Sequence, residues 1–197
     1  MTSHSVRPAV PSDTPTLVSL GFASNLLTSD EAEAMLGDSL RSLFAMPATN
    51  PVDKIARVVD GADGLPVGWS FLSADTAAEG VWELLWIGVA LCVQGSGVGA
   101  ALLADAEVQS RAAGARILII STSSTALTAR ARAFYVRNGY QESVCVFYYC
   151  RTYYKAVRVG GGGEGRTCAI RDDEPRPVWM SLPSRTSDPG VCVSAKK

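Results

Sequence analysis

Apolar positions recur along the chain with two different periods, which predict a mixture of strands and helices. The stretch from Val81 to Leu91 is apolar on both faces, as expected of a strand in the middle of a sheet. Helical spacing recurs in several other segments, and short apolar runs between turn signals predict further strands. The predicted helices cover residues 14–23, 28–44, 100–113 and 126–138, and the other strands cover 5–9, 53–60, 67–72, 116–121, 140–149 and 155–159.

The composition is that of a globular protein. A chain of 197 residues, 47% of them hydrophobic, is long enough for one domain with a sizeable core. The formal net charge of −1 gives no electrostatic reason to expect binding to nucleic acid or to an anionic membrane. The apolar run from Val81 to Val93 is too short to span a bilayer and contains Glu83. No signal peptide is evident, so we expect a cytoplasmic protein.

Cysteine and histidine usage argues against several kinds of site. Five cysteines, an odd number without metal-type spacing, predict reduced thiols of the kind found in the cytoplasm. The chain has a single histidine, His4, which excludes a multi-histidine metal site. His4 is also poorly placed to serve in a histidine-based catalytic triad. We therefore expect no metal cofactor.

The character of the sequence changes at Gly160. Residues 160–165 are rich in glycine, which is typical of a flexible linker. Residues 164–197 mix proline, serine and charge without hydrophobic periodicity, a composition that favours disorder. We predict a folded domain over residues 4–159 and a glycine-rich linker with a disordered tail over 160–197.

A glycine-rich turn follows the central apolar strand and opens a helix. Glycines let the backbone approach a ligand closely, and free N–H groups at a helix start point at an anion. The segment Gly95-Ser-Gly97-Val-Gly99 can therefore hold a phosphate or pyrophosphate without lysine. Its glycine spacing comes close to the dinucleotide fingerprint but does not match it, and that fingerprint also expects an acidic residue after the next strand. That strand ends in Ser121-Thr-Ser-Ser, so an unrelated nucleotide-binding α/β protein is the weaker interpretation.

Two motifs in order resemble those of the Gcn5-related N-acetyltransferase (GNAT) family. Gln94-x-x-Gly97-x-Gly99 resembles the acetyl-CoA loop, whose pattern is Arg/Gln-x-x-Gly-x-Gly/Ala. Downstream, Phe134-Tyr135-x-x-x-Gly139-Tyr140 resembles the second signature, a helix ending in Phe-Tyr-x-x-x-Gly-Phe/Tyr. The resemblance covers roughly residues 4–159. It implies a mixed α/β fold in the order β-α-α-β-β-β-α-β-α-β-β. Its central, mostly antiparallel sheet would be splayed between strands 4 and 5 and flanked by about four helices.

The resemblance also implies where acetyl-CoA binds. The main chain at the end of the central strand would pair with the pantetheine arm, and Gly88 would permit the bulge that splays this strand from the next. Thr128 stands where many relatives have a cofactor-binding asparagine. Arg130 and Arg132 are candidates for the 3′-phosphate, although arginines on a helix more often form a solvated face. The implied cofactor-binding residues are Val89, Ala90, Leu91, Gln94, Gly95, Ser96, Gly97, Val98, Gly99, Ala100, Thr128 and Tyr135.

Acetyl transfer to an amine needs a base, an oxyanion donor and an acid for the leaving thiolate. Glu83 is the candidate base. Alternation along the strand puts its carboxylate on an apolar face, which it shares with Val81, Leu85, Ile87 and Val89. The resemblance implies the same role, since the family's histone-type members have a glutamate base at a similar position. Tyr135 is the candidate acid, since the family's signature tyrosine lies beside the CoA sulfur. Backbone near Ile87 to Val89 is expected to stabilise the oxyanion.

The expected function is therefore acetyl-CoA-dependent transfer to an amine, on either a small molecule or a protein. A catalytically silent GNAT-like module that binds acyl-CoA is the alternative, because the loop has Ser96 where many relatives carry a cation. The acceptor pocket is expected between the helices at 14–47 and a loop at 148–155. Family members often dimerise, so a homodimer is a further expectation.

Overall fold

The computed structural model describes residues 4–46, 52–146 and 150–156, all of which belong to one compact unit, residues 1–159. For residues 143–146, 150–154 and 156 the description is confined to the backbone. The predicted linker and tail over 160–197 lie outside the described residues.

The described residues contain a seven-stranded sheet in which β4 is the middle strand. Every neighbouring pair is antiparallel except β4 and β5, which run parallel. The mostly antiparallel sheet and the central position of the apolar strand are therefore confirmed. The strands are β1 Val6–Pro8, β2 Lys54–Asp60, β3 Pro66–Ala74, β4 Val81–Val89, β5 Ile117–Ser123, β6 Gln141–Val146 and β7 Cys150–Ala156, in the spatial order β1-β2-β3-β4-β5-β7-β6.

Among the described residues, four helical segments flank the sheet, as the resemblance implies. The second segment runs from Ser29 to Phe44 and contains a π-helical turn, Glu33–Gly37. It begins with a capping box in which Thr28 and Glu31 each satisfy the other's backbone N–H. No helix among the described residues is long and apolar enough to cross a membrane. The helices are α1 Thr14–Phe22, α2 Ser29–Ala32, α3 Asp38–Phe44, α4 Val98–Ala112 and α5 Ala129–Arg137.

Of the element boundaries that differ from the sequence prediction, two lie near the site. The central strand ends at Val89 rather than Leu91, because Leu91–Val93 forms a 3-10 turn ahead of the glycine loop. The last strand begins at Cys150 rather than Lys155, so most of the segment predicted as a loop is β7. This strand extends because it lies between β5 and β6 and pairs with both. Local sequence patterns carry no information about such double pairing.

The two faces of the sheet carry separate hydrophobic clusters. We call one the α4 face, because α4 and α5 cover it, and the other the α1 face, because α1 and α3 cover it. The α4 face contains the buried side chains of Leu72, Trp82, Leu84, Leu103, Ala106, Ala115, Leu118, Ile120, Tyr135 and Tyr140. The α1 face contains those of Leu17, Leu36, Leu40, Ala56, Val58, Trp69 and Phe71.

Ion pairs attach the helices to the sheet. Arg57 on β2 donates from Nε to Asp105 on α4 at 2.9 Å, with both side chains largely buried. Arg7 on β1 bonds to both Asp13 and Asp60, which fixes the chain entering α1. The hydrogen bonds from Arg7 are the main cause of the lowered pKa of the buried Asp13 carboxyl.

Candidate functional site

Strands β4 and β5 separate soon after they begin to pair. Their ladder contains three pairs, which are Val81 with Ile117, Trp82 with Leu118 and Glu83 with Ile119. The following residues of β4, 84–89, have no partner on β5, so a wedge-shaped gap opens between the two strands. This confirms the predicted splay between strands 4 and 5.

Backbone hydrogen-bonding groups of β4 face this gap. The N–H of Ala90 donates to Val67 O on β3 at 2.7 Å. Successive residues of a strand present their peptide groups to opposite sides. Ile87 and Val89 therefore direct theirs away from β3 and towards the gap. An extended ligand in the gap would find a strand edge with which to pair.

A β-bulge interrupts β4 at Leu85. Phe71 pairs with Trp86 while its neighbour Leu72 pairs with Leu84, which leaves Leu85 as the extra residue on β4. Leu85 is about half exposed. The prediction that Gly88 forms the bulge is wrong, since Gly88 pairs regularly with Trp69.

The bulge changes which residues of β4 share a face with Glu83. Trp82 and Leu84 pack on the α4 face, so Glu83 between them points to the α1 face. After the extra residue Leu85, Trp86 packs on the α1 face and Ile87 on the α4 face. The prediction that Glu83 shares a face with Ile87 and Val89 is therefore wrong, because an inserted residue reverses the alternation. The half-buried Glu83 lies at the apex of the gap, on the α1 face.

Trp86 lines the α1 face one step along β4 from the bulge. Gly88 leaves room for its indole, because a Cβ there would lie 2.9 Å from Trp86 Nε1. The same edge of the ring also approaches α1, since a Cβ on Gly21 would lie 3.7 Å from Trp86 Cζ2. The Trp86 Nε1 hydrogen-bond donor is buried and has no partner among the described residues. A buried donor of this kind gains energy from any ligand that can accept its hydrogen bond.

The glycine loop is exposed and adopts backbone conformations that favour glycine. Gly95 has φ 85° and Gly97 has φ 99°. The Ala101 N–H makes the first hydrogen bond of α4, to Gly97 O. The N–H groups of Val98, Gly99 and Ala100 come before that residue, in the part of the first turn where an α-helix supplies no carbonyl partner. No side chain among the described residues caps this end of the helix.

Side chains fold the loop back onto the end of β4. Gln94 donates from Nε2 to Val89 O at 3.3 Å, and Ser96 Oγ donates to Val93 O at 2.6 Å. Gly99 lies between β4 and α5, since a Cβ there would be 3.7 Å from both Val89 and Phe134. The structure thus brings the predicted residues from Val89 to Ala100 together at one end of the gap.

His4 contacts this loop from the chain's beginning. Its Nε2 lies 2.9 Å from Ser96 O, and it lies 3.6 Å from where a Cβ on Gly97 would be. Sequence reasoning missed this contact, because 92 residues separate the two partners and no local pattern connects them.

Tyr135 lies on the opposite face of the sheet from Glu83. Its side chain is 6% exposed within the α4-face cluster, with ring centroids 5.5 Å from Phe134 and 6.1 Å from Tyr140. The two candidate catalytic residues are thus on different faces of β4.

Thr128 and Arg132 are engaged within the chain. Thr128 Oγ1 donates to Ser123 O at 2.6 Å and accepts from Arg132 Nη1 at 2.8 Å. Arg132 Nη1 also contacts the carbonyl oxygens of Ser123 and Thr125, so it closes the turn between β5 and α5. The Thr128 hydroxyl hydrogen is therefore already used, which weighs against its predicted role at the cofactor. Arg130 is exposed.

The described residues offer no cluster of metal ligands. None of their groupings of three or more His, Cys, Asp and Glu residues could hold a metal ion. Cys92 is exposed, in the turn just before the glycine loop.

Comparison with known proteins connects this geometry to a family. Residues 57–142, which include the splayed strands, the glycine loop and α5, match the family model described as Acetyltransferase (GNAT) domain. No curated protein sequence matches the chain significantly.

Solved structures share the fold along most of their length. A protein from Desulfovibrio desulfuricans, described as an acetyltransferase of the GNAT family, is 25% identical with a TM-score of 0.71, covering 79% of this chain and 99% of that one. The PaiA N-acetyltransferase from Thermoplasma acidophilum, in complex with coenzyme A, is 16% identical with a TM-score of 0.64, covering 79% and 99%. The ribosomal-protein-S18-alanine N-acetyltransferase from Escherichia coli is 13% identical with a TM-score of 0.59, covering 81% and 97%.

Proposed function

We propose that this chain transfers an acetyl group directly from acetyl-CoA to an amine, because residues 57–142 match the model of the acetyltransferase (GNAT) domain. The observation that carries the proposal is the gap between β4 and β5, which ends at the exposed glycine loop. The strand edge that would pair with pantetheine thus leads directly to the free N–H groups that would hold the pyrophosphate.

The donor site fits this chain's own groups. The peptide groups of Ile87 and Val89 face the gap and would pair with the amides of pantetheine, as an added strand does. The N–H groups of Gly97 to Ala100, at the start of α4, would hold the pyrophosphate. The coenzyme A complex of the Thermoplasma acidophilum relative supports an acyl-CoA ligand for this fold.

Glu83 and Tyr135 would handle the two protons of the reaction. The Glu83 carboxylate would take a proton from the acceptor amine, whose nitrogen bonds to the acetyl carbon. Backbone N–H groups facing the gap would stabilise the oxyanion. Tyr135 would give its proton to the sulfur as the carbon–sulfur bond breaks. Its position on the other face of β4 agrees with this division of roles, because base and acid approach the acetyl group from opposite sides.

The acceptor would enter on the α1 face, where Glu83 lies. Trp86 offers an aromatic surface there together with its unpartnered N–H. Part of α1 is nearby, since a Cβ on Gly21 would lie 3.7 Å from Trp86 Cζ2. These features favour an amine that also carries a hydrogen-bond acceptor and an apolar group. A small molecule and a protein terminus both satisfy this description.

The second candidate is a catalytically silent module that binds acyl-CoA. The neutral loop, with Ser96 in the position of a cation in many relatives, supports it. The two functions share the donor site and differ in turnover.

The test is an assay of acetyl transfer from isotope-labelled acetyl-CoA to a panel of amines and peptide N-termini, beside a measurement of CoA binding. Transfer that is lost in Glu83→Gln while CoA binding persists is the expected result. Binding without transfer to any acceptor would favour the silent module. A folded protein that binds no CoA would contradict both.

A further inference from the structure

The chain's single histidine touches the one loop that the proposed function assigns to pyrophosphate. His4 lies two residues before β1, and its Nε2 is 2.9 Å from Ser96 O. Ser96 O is a carbonyl, so the histidine nitrogen must be the donor in this hydrogen bond. The contact joins the beginning of the chain to the loop between β4 and α4.

This hydrogen bond fixes the orientation of one peptide group. In a trans peptide the carbonyl and the following N–H point in opposite directions. With Ser96 O directed at His4, the Gly97 N–H is directed away from it. Gly97 is the residue just before α4, so its N–H lies beside the free N–H groups of Val98 and Gly99.

The Ser96–Gly97 peptide would otherwise be easy to turn over. A peptide flip changes ψ of the first residue and φ of the second, and glycine tolerates both signs of φ. A flipped peptide would point the Ser96 carbonyl oxygen, rather than an N–H, at an anion. No cationic side chain in residues 91–97 could compensate for that repulsion.

We propose that His4 is a positioning residue of the cofactor site, which holds the Gly97 N–H towards the pyrophosphate of CoA by donating from Nε2 to Ser96 O. The inference rests on the proposed function, because it assumes that the loop binds this ligand. β1 supports the histidine, since Val6 packs against the cluster of Val59, Val98 and Leu102 beneath the loop.

Two substitutions that introduce the same amide group, His4→Gln and His4→Asn, distinguish the effect of the hydrogen bond from the effect of having a side chain at this position. In His4→Gln the side-chain amide nitrogen reaches about as far as Nε2, whereas in His4→Asn it reaches only as far as Nδ1. Ser5→Ala serves as the control for a change at an exposed neighbouring position.

The experiment is calorimetric titration of CoA into the full chain and these variants, with His4→Ala added. We expect His4→Ala and His4→Asn to raise the Kd about fivefold to tenfold, and His4→Gln to stay within about twofold of wild type. The KM for acetyl-CoA should follow the Kd, with kcat unchanged. In the unliganded protein, the Gly97 amide NMR signal should move in His4→Ala and His4→Asn but not in His4→Gln.

The outcomes distinguish a failure of the role proposed for His4 from a failure of the proposed function. Wild-type binding that persists unchanged in His4→Ala overturns the role of His4 and leaves the proposed function standing. Equal weakening in His4→Gln and His4→Ala would also overturn it, because the donor would then not be the feature that matters. A folded wild type that binds no CoA overturns the proposed function and this inference together.

Discussion

Glu83 and Ile119 form the last pair that β4 makes with β5, and the gap that we assign to the acyl donor begins immediately beyond them. The bulge at Leu85 follows directly on the same strand. The pairing puts the Glu83 carboxylate at the apex of the gap, and alternation with Trp82 and Leu84 directs it to the α1 face. The bulge brings Trp86 to the same face. This relationship underlies the role that we give to Glu83.

Glu83→Gln should lower kcat by roughly 100-fold or more, because a general base contributes about 10²–10⁴ in rate. The Kd for acetyl-CoA should stay within about twofold of wild type, since Glu83 lies at the far end of the gap from the glycine loop. Steady-state kinetics and calorimetry measure the two quantities. Glu79→Gln, at an exposed position before β4, is the matched control and should have wild-type kinetics. Equal kcat values for Glu83→Gln and wild type would remove Glu83 from the mechanism.

Tyr135→Phe should lower kcat by roughly tenfold to 100-fold without unfolding the protein, because it removes one hydroxyl and keeps the ring in the core. Tyr140→Phe is the matched control in the same cluster. Burial, and then the nearby Glu107 carboxylate, raise the pKa of Tyr140, so its phenol is a poor proton donor. Single-turnover rates should therefore fall only in Tyr135→Phe. A similar loss in both variants would indicate a packing effect rather than proton donation.

Asp105→Ala should destabilise the fold by about 2–4 kcal/mol, because it leaves the guanidinium of Arg57 largely buried without its partner. Urea unfolding measures this change. Glu33→Ala removes the carboxylate of an exposed ion pair with Arg41 and should change stability little. Equal effects of the two substitutions would contradict the anchoring role of the β2–α4 ion pair.

Stability should depend on Asp13 in acid. Its pKa is lowered in the folded state by the hydrogen bonds from Arg7, so the ionised carboxylate stabilises the native protein. That contribution is complete above the unfolded pKa of about 3.9 and is lost as the pH falls towards the lower folded pKa. Thermal unfolding of Asp13→Asn should lack this part of the acid dependence. Parallel curves for wild type and Asp13→Asn below pH 4 would show that the pair contributes nothing.

The sequence alone located much of the fold because its strongest signals are local. The apolar run of β4, the glycines before α4 and the helical spacing of α4 and α5 each lie within a short window. The bulge at Leu85 was missed because it depends on how Phe71 and Leu72 of a different strand pair with β4. One inserted residue reverses the alternation beyond it, so the prediction that Glu83 shares a face with Ile87 and Val89 was wrong.

Other features of the site were hidden for the same reason. The contact of His4 with Ser96 depends on tertiary packing of β1 against the start of α4. The use of the Thr128 hydroxyl by Ser123 and Arg132 depends on the conformation of the turn after β5. The beginning of β7 at Cys150 is set by the two strands that flank it. Spacing rules describe one element at a time and carry none of this information.

The central claim is that the loop before α4 binds the pyrophosphate of acetyl-CoA, and calorimetric titration of acetyl-CoA into wild type, Gly97→Glu and Gly114→Glu tests it most directly. Both glycines have positive φ, at 99° and 87°, so both substitutions strain the backbone in the same way. The two positions lie at opposite ends of α4. Only Gly97→Glu adds a carboxylate at the proposed anion site. We predict binding in wild type and Gly114→Glu and its loss in Gly97→Glu. Wild-type affinity in Gly97→Glu, or no binding by the folded wild type, would contradict the account.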